Sequence, residues 1–117
     1  MDVEINKILQ EFIVDTKSYG ALLIDPKGVV IYATGLENDI SVAAMSSAIL
    51  SMCDKFLDDM EKGPLKLIVL RTTDGRVIFN KINISKTLVI FTKSDIPIGL
   101  LLHNVEETTV KLQKQLI

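Results

Sequence analysis

Asp39-Ile-Ser-Val-Ala-Ala-Met-Ser-Ser-Ala-Ile-Leu-Ser-Met-Cys-Asp-Lys-Phe-Leu-Asp-Asp-Met-Glu-Lys62 carries more apolar surface than one helix contact can bury. Val42, Met45, Ile49, Met52, Phe56 and Met60 recur at helical spacing and make one stripe. Ile40, Ala43, Ala44, Ser47, Ala48, Leu50, Ser51 and Leu57 widen the apolar sector well beyond that line. A helix that covers only its own sheet needs a single stripe, so this one reads as having two partners. Its many Ala and Ser residues let another backbone come close. Asn38 or Asp39 is placed to cap the start, and Gly63-Pro64 to stop the end, a span of about 36 Å at ~1.5 Å per residue.

Upstream of this helix lies a hairpin. Asp25-Pro26-Lys27-Gly28 has turn chemistry: proline presets its second position and glycine permits positive φ at its end. Ala21–Ile24 and Val29–Ala33 read as the two strands, with Tyr19–Gly20 ending the connection before them. Both runs are nearly continuous in apolar residues, which predicts burial on both faces. Earlier still, Ile5, Ile8, Leu9, Phe12 and Ile13 give Val3–Asp15 the stripe of a helix lying on a core.

Downstream come three strand-like runs, Leu65–Arg71, Arg76–Ile82 and Lys86–Lys93. Thr73-Asp74-Gly75 joins the first two as a hairpin, and Asn83-Ile84-Ser85 is a short connection between the second and third. They predict an antiparallel meander with Arg76–Ile82 in the middle. Ser94 or Asp95 is placed to cap a last helix over Pro97–Ile117, with the stripe Ile98, Leu101, Leu102, Val105, Leu112 and Leu116. Gly99 suggests a close backbone approach there.

The expected fold is therefore α/β, a three-layer sandwich with a five-stranded, mainly antiparallel sheet. The element order is helix-strand-strand-helix-strand-strand-strand-helix, in one domain over residues 1–117. Five strands at ~4.8 Å spacing make a sheet about 24 Å wide, while a helix is ~10 Å across. The first and last helices can cover one face; the middle helix covers less than half of the other. Exposed apolar patches of that size usually mark an association surface. Leu65-Lys66-Leu67-Ile68-Val69-Leu70-Arg71 adds a second reason, because it is aliphatic and charged only at Lys66 and Arg71. As a sheet edge it has little to keep it single. Pairing with its own copy would extend the sheet across a two-fold axis and set two middle helices side by side. The expected dimer interface is thus Leu65, Leu67, Ile68, Val69 and Leu70 on the edge, with Met45, Ile49, Met52 and Phe56 on the helix.

Composition narrows the function classes. A net charge of −2 with no cluster of Lys and Arg argues against nucleic acid as a partner. The apolar runs Gly20–Ile24 and Leu65–Leu70 fall far short of the ~20 residues a bilayer crossing needs, so no membrane insertion is expected. The acidic, amphipathic first fifteen residues do not resemble a secretory signal, and one Cys makes no internal disulfide. A cytoplasmic protein is expected.

No residue set points to catalysis, a cofactor or a metal. Cys53 and His103 are the only residues of their types, and a Cys–His nucleophile or a structural zinc site needs more than that. Cys53 reads as a small buried hydrophobe and His103 as a surface residue. No phosphate-cradling glycine motif occurs. Asp25 and Asp74 belong to turns, which explains them without acid–base chemistry. Asp54, Asp58, Asp59 and Glu61 make an acidic end to the long helix, opposite to what the helix dipole prefers. A solvated face explains them most simply; a docking patch for a basic partner is the functional alternative. The Met45, Met52 and Met60 series is explained by core packing, or by an adaptable binding surface. Arg71 and Arg76 are the only arginines, and a charged strand end explains them better than an arginine finger does.

The order of elements resembles that of roadblock domains, the family of the roadblock-type dynein light chains. The hairpin Gly20-Ala-Leu-Leu-Ile-Asp-Pro-Lys-Gly-Val-Val-Ile-Tyr32 and the run Val42-Ala-Ala-Met-Ser-Ser-Ala-Ile-Leu50 look like the front half of that domain. Thr73-Asp-Gly75, Leu88-Val-Ile-Phe91 and Ile98-Gly-Leu100 look like its back half. The resemblance implies homo- or heterodimers with a continuous sheet and paired long helices. It also implies binding and regulation of a small Ras-like GTPase, or service as a scaffold, without catalysis. A structural adaptor indifferent to nucleotide state is the alternative reading. A small-molecule sensor has little support, because no polar constellation is patterned to orient a ligand inside the core.

Overall fold

The computed structural model describes residues 2–93 and 95–116. Its elements run α1 (Asp2–Thr16), β1 (Ser18–Ile24), β2 (Val30–Thr34), α2 (Asp39–Asp59), β3 (Leu67–Arg71), β4 (Arg76–Asn83), β5 (Lys86–Thr92) and α3 (Ile98–Gln115). The sheet is antiparallel throughout, in the order β2-β1-β5-β4-β3. The expected sandwich, element order and meander are all present. β1 lies between β2 and β5, so the hairpin joins the meander through its first strand.

Side-chain alternation sends each strand to two cores. Ala21 and Leu23 of β1, Ile78 and Ile82 of β4, and Leu88 and Ile90 of β5 meet Ile5, Leu9 and Phe12 of α1 and Leu101, Val105 and Leu112 of α3. Leu22, Ile24, Phe79, Val89 and Phe91 point the other way, to Ala43 and Leu50 of α2 and to Leu65. At about 25 cal/mol per Å² of buried apolar surface, these two clusters are the main favourable term in folding.

The hairpin turn behaves as its sequence dictates. The Asp25 carboxylate accepts hydrogen bonds from the Lys27 and Val29 amides at 2.9 and 3.0 Å. Gly28, at φ 83°, lies so near α2 that a β-carbon there would sit 3.0 Å from Ser47 Cβ and 3.1 Å from the Ala43 carbonyl. The Ser47 hydroxyl donates to the Pro26 carbonyl at 2.8 Å, tying the same tip to the helix.

Several local expectations are corrected. β1 begins at Ser18, so Tyr19 and Gly20 are strand and not connection: α1 stops at Lys17, which takes φ 54°, and the chain enters the sheet at once. β2 is half-exposed and not buried on both faces, because β5 takes the inner side of β1 and leaves β2 at the edge. α2 ends at Asp59, short of Lys62. Glu61, at φ 55°, supplies the left-handed residue; the Lys62 amide returns to the Leu57 carbonyl at 3.0 Å and the Glu61 amide to that of Asp58 at 3.1 Å. Asn38 occupies the N-cap position of α2 without a side-chain bond, and Asp39 bonds its neighbour Ile40 instead. Pro97 holds the cap position of α3, where Asp95 was expected; Ser94 lies outside the described residues. Among the described residues, nothing from outside its own helix lies within 4 Å of a would-be β-carbon on Gly99, so no backbone of another element approaches it closely.

Candidate interaction surface

α2 divides into unlike flanks. Ala43, Ser46 and Leu50 face the sheet. Helical geometry places Val42, Met45, Ile49, Met52, Phe56 and Met60 about 100° round from them, along one side. Val42, Ile49 and Cys53 pack against the α2-side core, whereas Met45, Met52 and Phe56 stand 55%, 74% and 65% exposed. The other side carries Ser47, Ser51, Asp54 and Asp58, next to the hairpin tip at Pro26. The two contact lines expected for this helix are thus separate surfaces of one cylinder. By length and composition α2 could also cross a bilayer, but its sheet-facing side is part of the core.

The apolar flank continues onto the sheet. Ile68 and Val77 are half-buried against the same cluster, and Leu70 is exposed beside them. Tyr19, absent from the residues the sequence singled out, is exposed too, its ring 6.1 Å from that of Phe91. Had the strand been read from Ser18, its neighbour Tyr19 would have stood out as a half-exposed aromatic. Among the described residues, nothing covers this part of the face as α1 and α3 cover the other.

β3 is the outer strand beyond β4. Leu67, Ile68, Val69 and Leu70 lie on it, each half-buried or exposed. Leu65 does not: it precedes the strand and is buried under α2 within its own chain. The edge expected from the sequence is therefore two residues shorter, and Leu65 belongs to the core.

The acidic patch is only partly free. Asp54 forms a 2.8 Å ion pair with Lys81 of β4, and Asp59 sits 3.6 Å from Lys55 one turn earlier. Asp58 and Glu61 are exposed without a partner among the described residues. The exposed Lys55–Asp59 pair is worth less than about 1 kcal/mol, while the Asp54–Lys81 pair is part-buried.

The remaining candidates fall into structural roles. Asp25 lies beyond Ile24, which pairs with Thr87, while the Asp74 turn adjoins Arg76, which pairs with Thr92. Five residues of β5 separate the two turns, about 17 Å at ~3.4 Å per residue, so they form no carboxylate pair. His103 is exposed, with Nε2 2.9 Å from a Glu107 carboxylate oxygen. Cys53 is half-buried, less enclosed than expected, at the border of the apolar flank. Arg76 donates from its guanidinium to the Ile96 carbonyl. Arg71 and Arg76 stand opposite each other, two residues along from the Val69–Ile78 pair that packs on the α1–α3 side. Both arginines therefore lie on the sheet face away from α2.

A family model for the Roadblock/LC7 domain matches residues 5–90. No curated protein sequence matches the chain. Among solved structures, Myxococcus xanthus MglB superposes with a TM-score of 0.90 at 14% identity, covering 94% of this chain and 92% of that one. The gliding protein MglB of Thermus thermophilus gives 0.86 at 15% identity, covering 95% and 87%. MglC of Myxococcus xanthus gives 0.66 at 13% identity, covering 97% and 99%. These likenesses are of fold, and together with the family match over most of its length they place the chain in the Roadblock/LC7 domain family.

Proposed function

We propose that this protein is a non-enzymatic homodimeric module that binds a small Ras-like GTPase and tunes its nucleotide cycle. The observation that carries the reading is one continuous bare surface: the Met45, Met52 and Phe56 flank, the adjoining sheet at Ile68 and Leu70, and the unpaired β3 edge. Pairing two β3 strands would satisfy the edge and bring two α2 flanks together. Family membership supports a regulatory or adaptor role, and the roadblock resemblance supplies the GTPase as the partner class.

The placement of the arginines shapes the mechanism. With Arg71 and Arg76 on the opposite face, a GTPase seated on α2 meets no arginine from this chain. Any effect on hydrolysis or exchange would come from favouring one switch-loop conformation, not from a donated guanidinium. Asp58 and Glu61 are the acidic groups free to meet a basic partner, with Asp54 and Asp59 already engaged.

The test is a titration of the purified protein with a Ras-like GTPase from the same source, loaded with GTP or with GDP. A clear preference for one state is expected. Equal affinity for both states would replace the regulatory reading with that of a scaffold, and absence of binding would remove the GTPase. Ile68→Asp, placed on the β3 edge, is expected to give monomers by sedimentation.

A further inference from the structure

We infer that a second copy of this chain pairs on β3 with Val69 on the two-fold axis, and that Arg71 of each copy then meets Glu106 of the other. The inference rests on the dimer reading above and adds its register and an ion-pair lock.

The register follows from the phase of the β3–β4 hydrogen bonds. The Lys66 carbonyl accepts from the Lys81 amide at 3.0 Å, and the Thr72 amide donates to the Gly75 carbonyl at 2.8 Å. Main-chain groups alternate in direction along an antiparallel strand, so Ile68 and Leu70 also point inward to β4. Leu67, Val69 and Arg71 are left with their amides and carbonyls pointing outward. Only outward residues can pair with outward residues across a two-fold axis. With Val69 on the axis, Leu67 pairs with the partner's Arg71 and Val69 with its own copy, using all three residues and roughly six hydrogen bonds. With Ile68 on the axis, Arg71 falls opposite the partner's Leu65, which is buried in its own core. With Leu70 on the axis, Leu67 falls opposite Thr73 of the partner subunit, in a turn. Each of those registers keeps roughly four bonds.

The same register brings two unpaired charges together. Arg71 and Glu106 are exposed, and neither has an ion pair among the described residues. Arg71 faces Arg76 across the β3–β4 ladder, a like-charge opposition that costs a strand pair stability. Leu67, Val69 and Arg71 share the α1–α3 face, so Arg71 of one copy lies alongside the partner's Leu67. Leu67 is paired with Asn80, whose side chain bonds Thr109 of α3. Glu106 sits one turn before Thr109 and lines the hollow between α3 and the strand edge, with Lys66, Asn80 and Val110. The planar guanidinium on its long arm suits a carboxylate at that position.

A cysteine scan decides the register. In a Cys53→Ser parent, Leu67, Ile68, Val69, Leu70 and Arg71 are changed to Cys one at a time and oxidised, and dimers are counted on a non-reducing gel. Val69→Cys is expected to cross-link fastest, since a residue facing its own copy across a bonded pair lies at ~5.5 Å between α-carbons, within disulfide range. A maximum at Ile68→Cys or Leu70→Cys overturns the register while leaving the dimer intact. For the lock, Arg71→Glu and Glu106→Arg are each expected to raise the dimer dissociation constant about two- to tenfold, and the double exchange to restore it. Additive losses in the double variant overturn the ion pair. A parent that sediments only as a monomer removes the dimer, and both parts with it.

Discussion

Phe56 offers the sharpest measurement on the apolar flank of α2. Its ring is 65% exposed in the single chain. With about 200 Å² for an aromatic side chain, that leaves roughly 130 Å² for a second copy to cover. At about 25 cal/mol per Å², complete cover is worth about 3 kcal/mol, of which truncation to alanine forfeits about 2. A symmetric dimer contains the residue twice, so Phe56→Ala should cost about 4 kcal/mol of association, or roughly a thousandfold in dissociation constant. Folding of the monomer should hardly change, within about 0.5 kcal/mol, because an exposed ring contributes little to its own core. Sedimentation equilibrium over a dilution series reads the first quantity, and urea unfolding at a concentration where the protein is monomeric reads the second. A dissociation constant within threefold of the parent's would refute the assignment of this flank to the dimer. A large loss of monomer stability would show instead that the ring is part of the intramolecular core.

Other positions test the physical account of the fold. Glu61→Gly should raise stability by about 1 kcal/mol, because Glu61 holds φ 55° at the end of α2 where glycine is unstrained; thermal unfolding checks this, and an unchanged or lower midpoint counts against it. Gly28→Ala should cost more than Gly63→Ala, although the two have similar φ of 83° and 87°, since only Gly28 meets α2. The difference, about 1–2 kcal/mol by chemical denaturation, measures how tightly the hairpin packs on the helix. Thr92→Val should be neutral or stabilising by up to about 1 kcal/mol, because its buried hydroxyl has no partner among the described residues. Thr16→Val should instead cost about 1–2 kcal/mol, because that hydroxyl bonds the Phe12 carbonyl at 2.7 Å and lies 2.6 Å from the Ser18 hydroxyl.

Much of the architecture was legible because strong periodicities and turn residues agree. Asp25-Pro26-Lys27-Gly28 and Thr73-Asp74-Gly75 each fix a hairpin, and the stripes of α1 and α3 each predict burial against the sheet. The double apolar sector of α2 also translated directly into a packed face and a bare flank. What failed was set by tertiary context or by unusual local geometry. Lys17 and Glu61 end helices in the left-handed region without being glycine, which moved the start of β1 and the end of α2. The half-exposure of β2 depends on β5 lying beside β1, a contact that no local window contains. Likewise the acidic end of α2 read as a set of four carboxylates, but Lys81, far along the chain, takes Asp54 out of it. Leu65 had the composition of an edge residue and became core because the chain turns under α2 before β3 begins.

The position of β1 in the sheet also governs how the chain is made. Its inner neighbour is β5, so Ala21 waits for Ile90 to be synthesised before that side is closed. While a ribosome is still adding the residues between them, the early hairpin and α2 can assemble, but β1 presents an open apolar border. Closing it spans a loop of most of the chain, whose entropy must be offset by the central ladder and by burial of Leu88, Val89, Ile90 and Phe91 in the two cores. The nascent protein is therefore most vulnerable to clumping just before β5 emerges, and chaperone dependence during translation should be lost once residue 92 has cleared the exit tunnel.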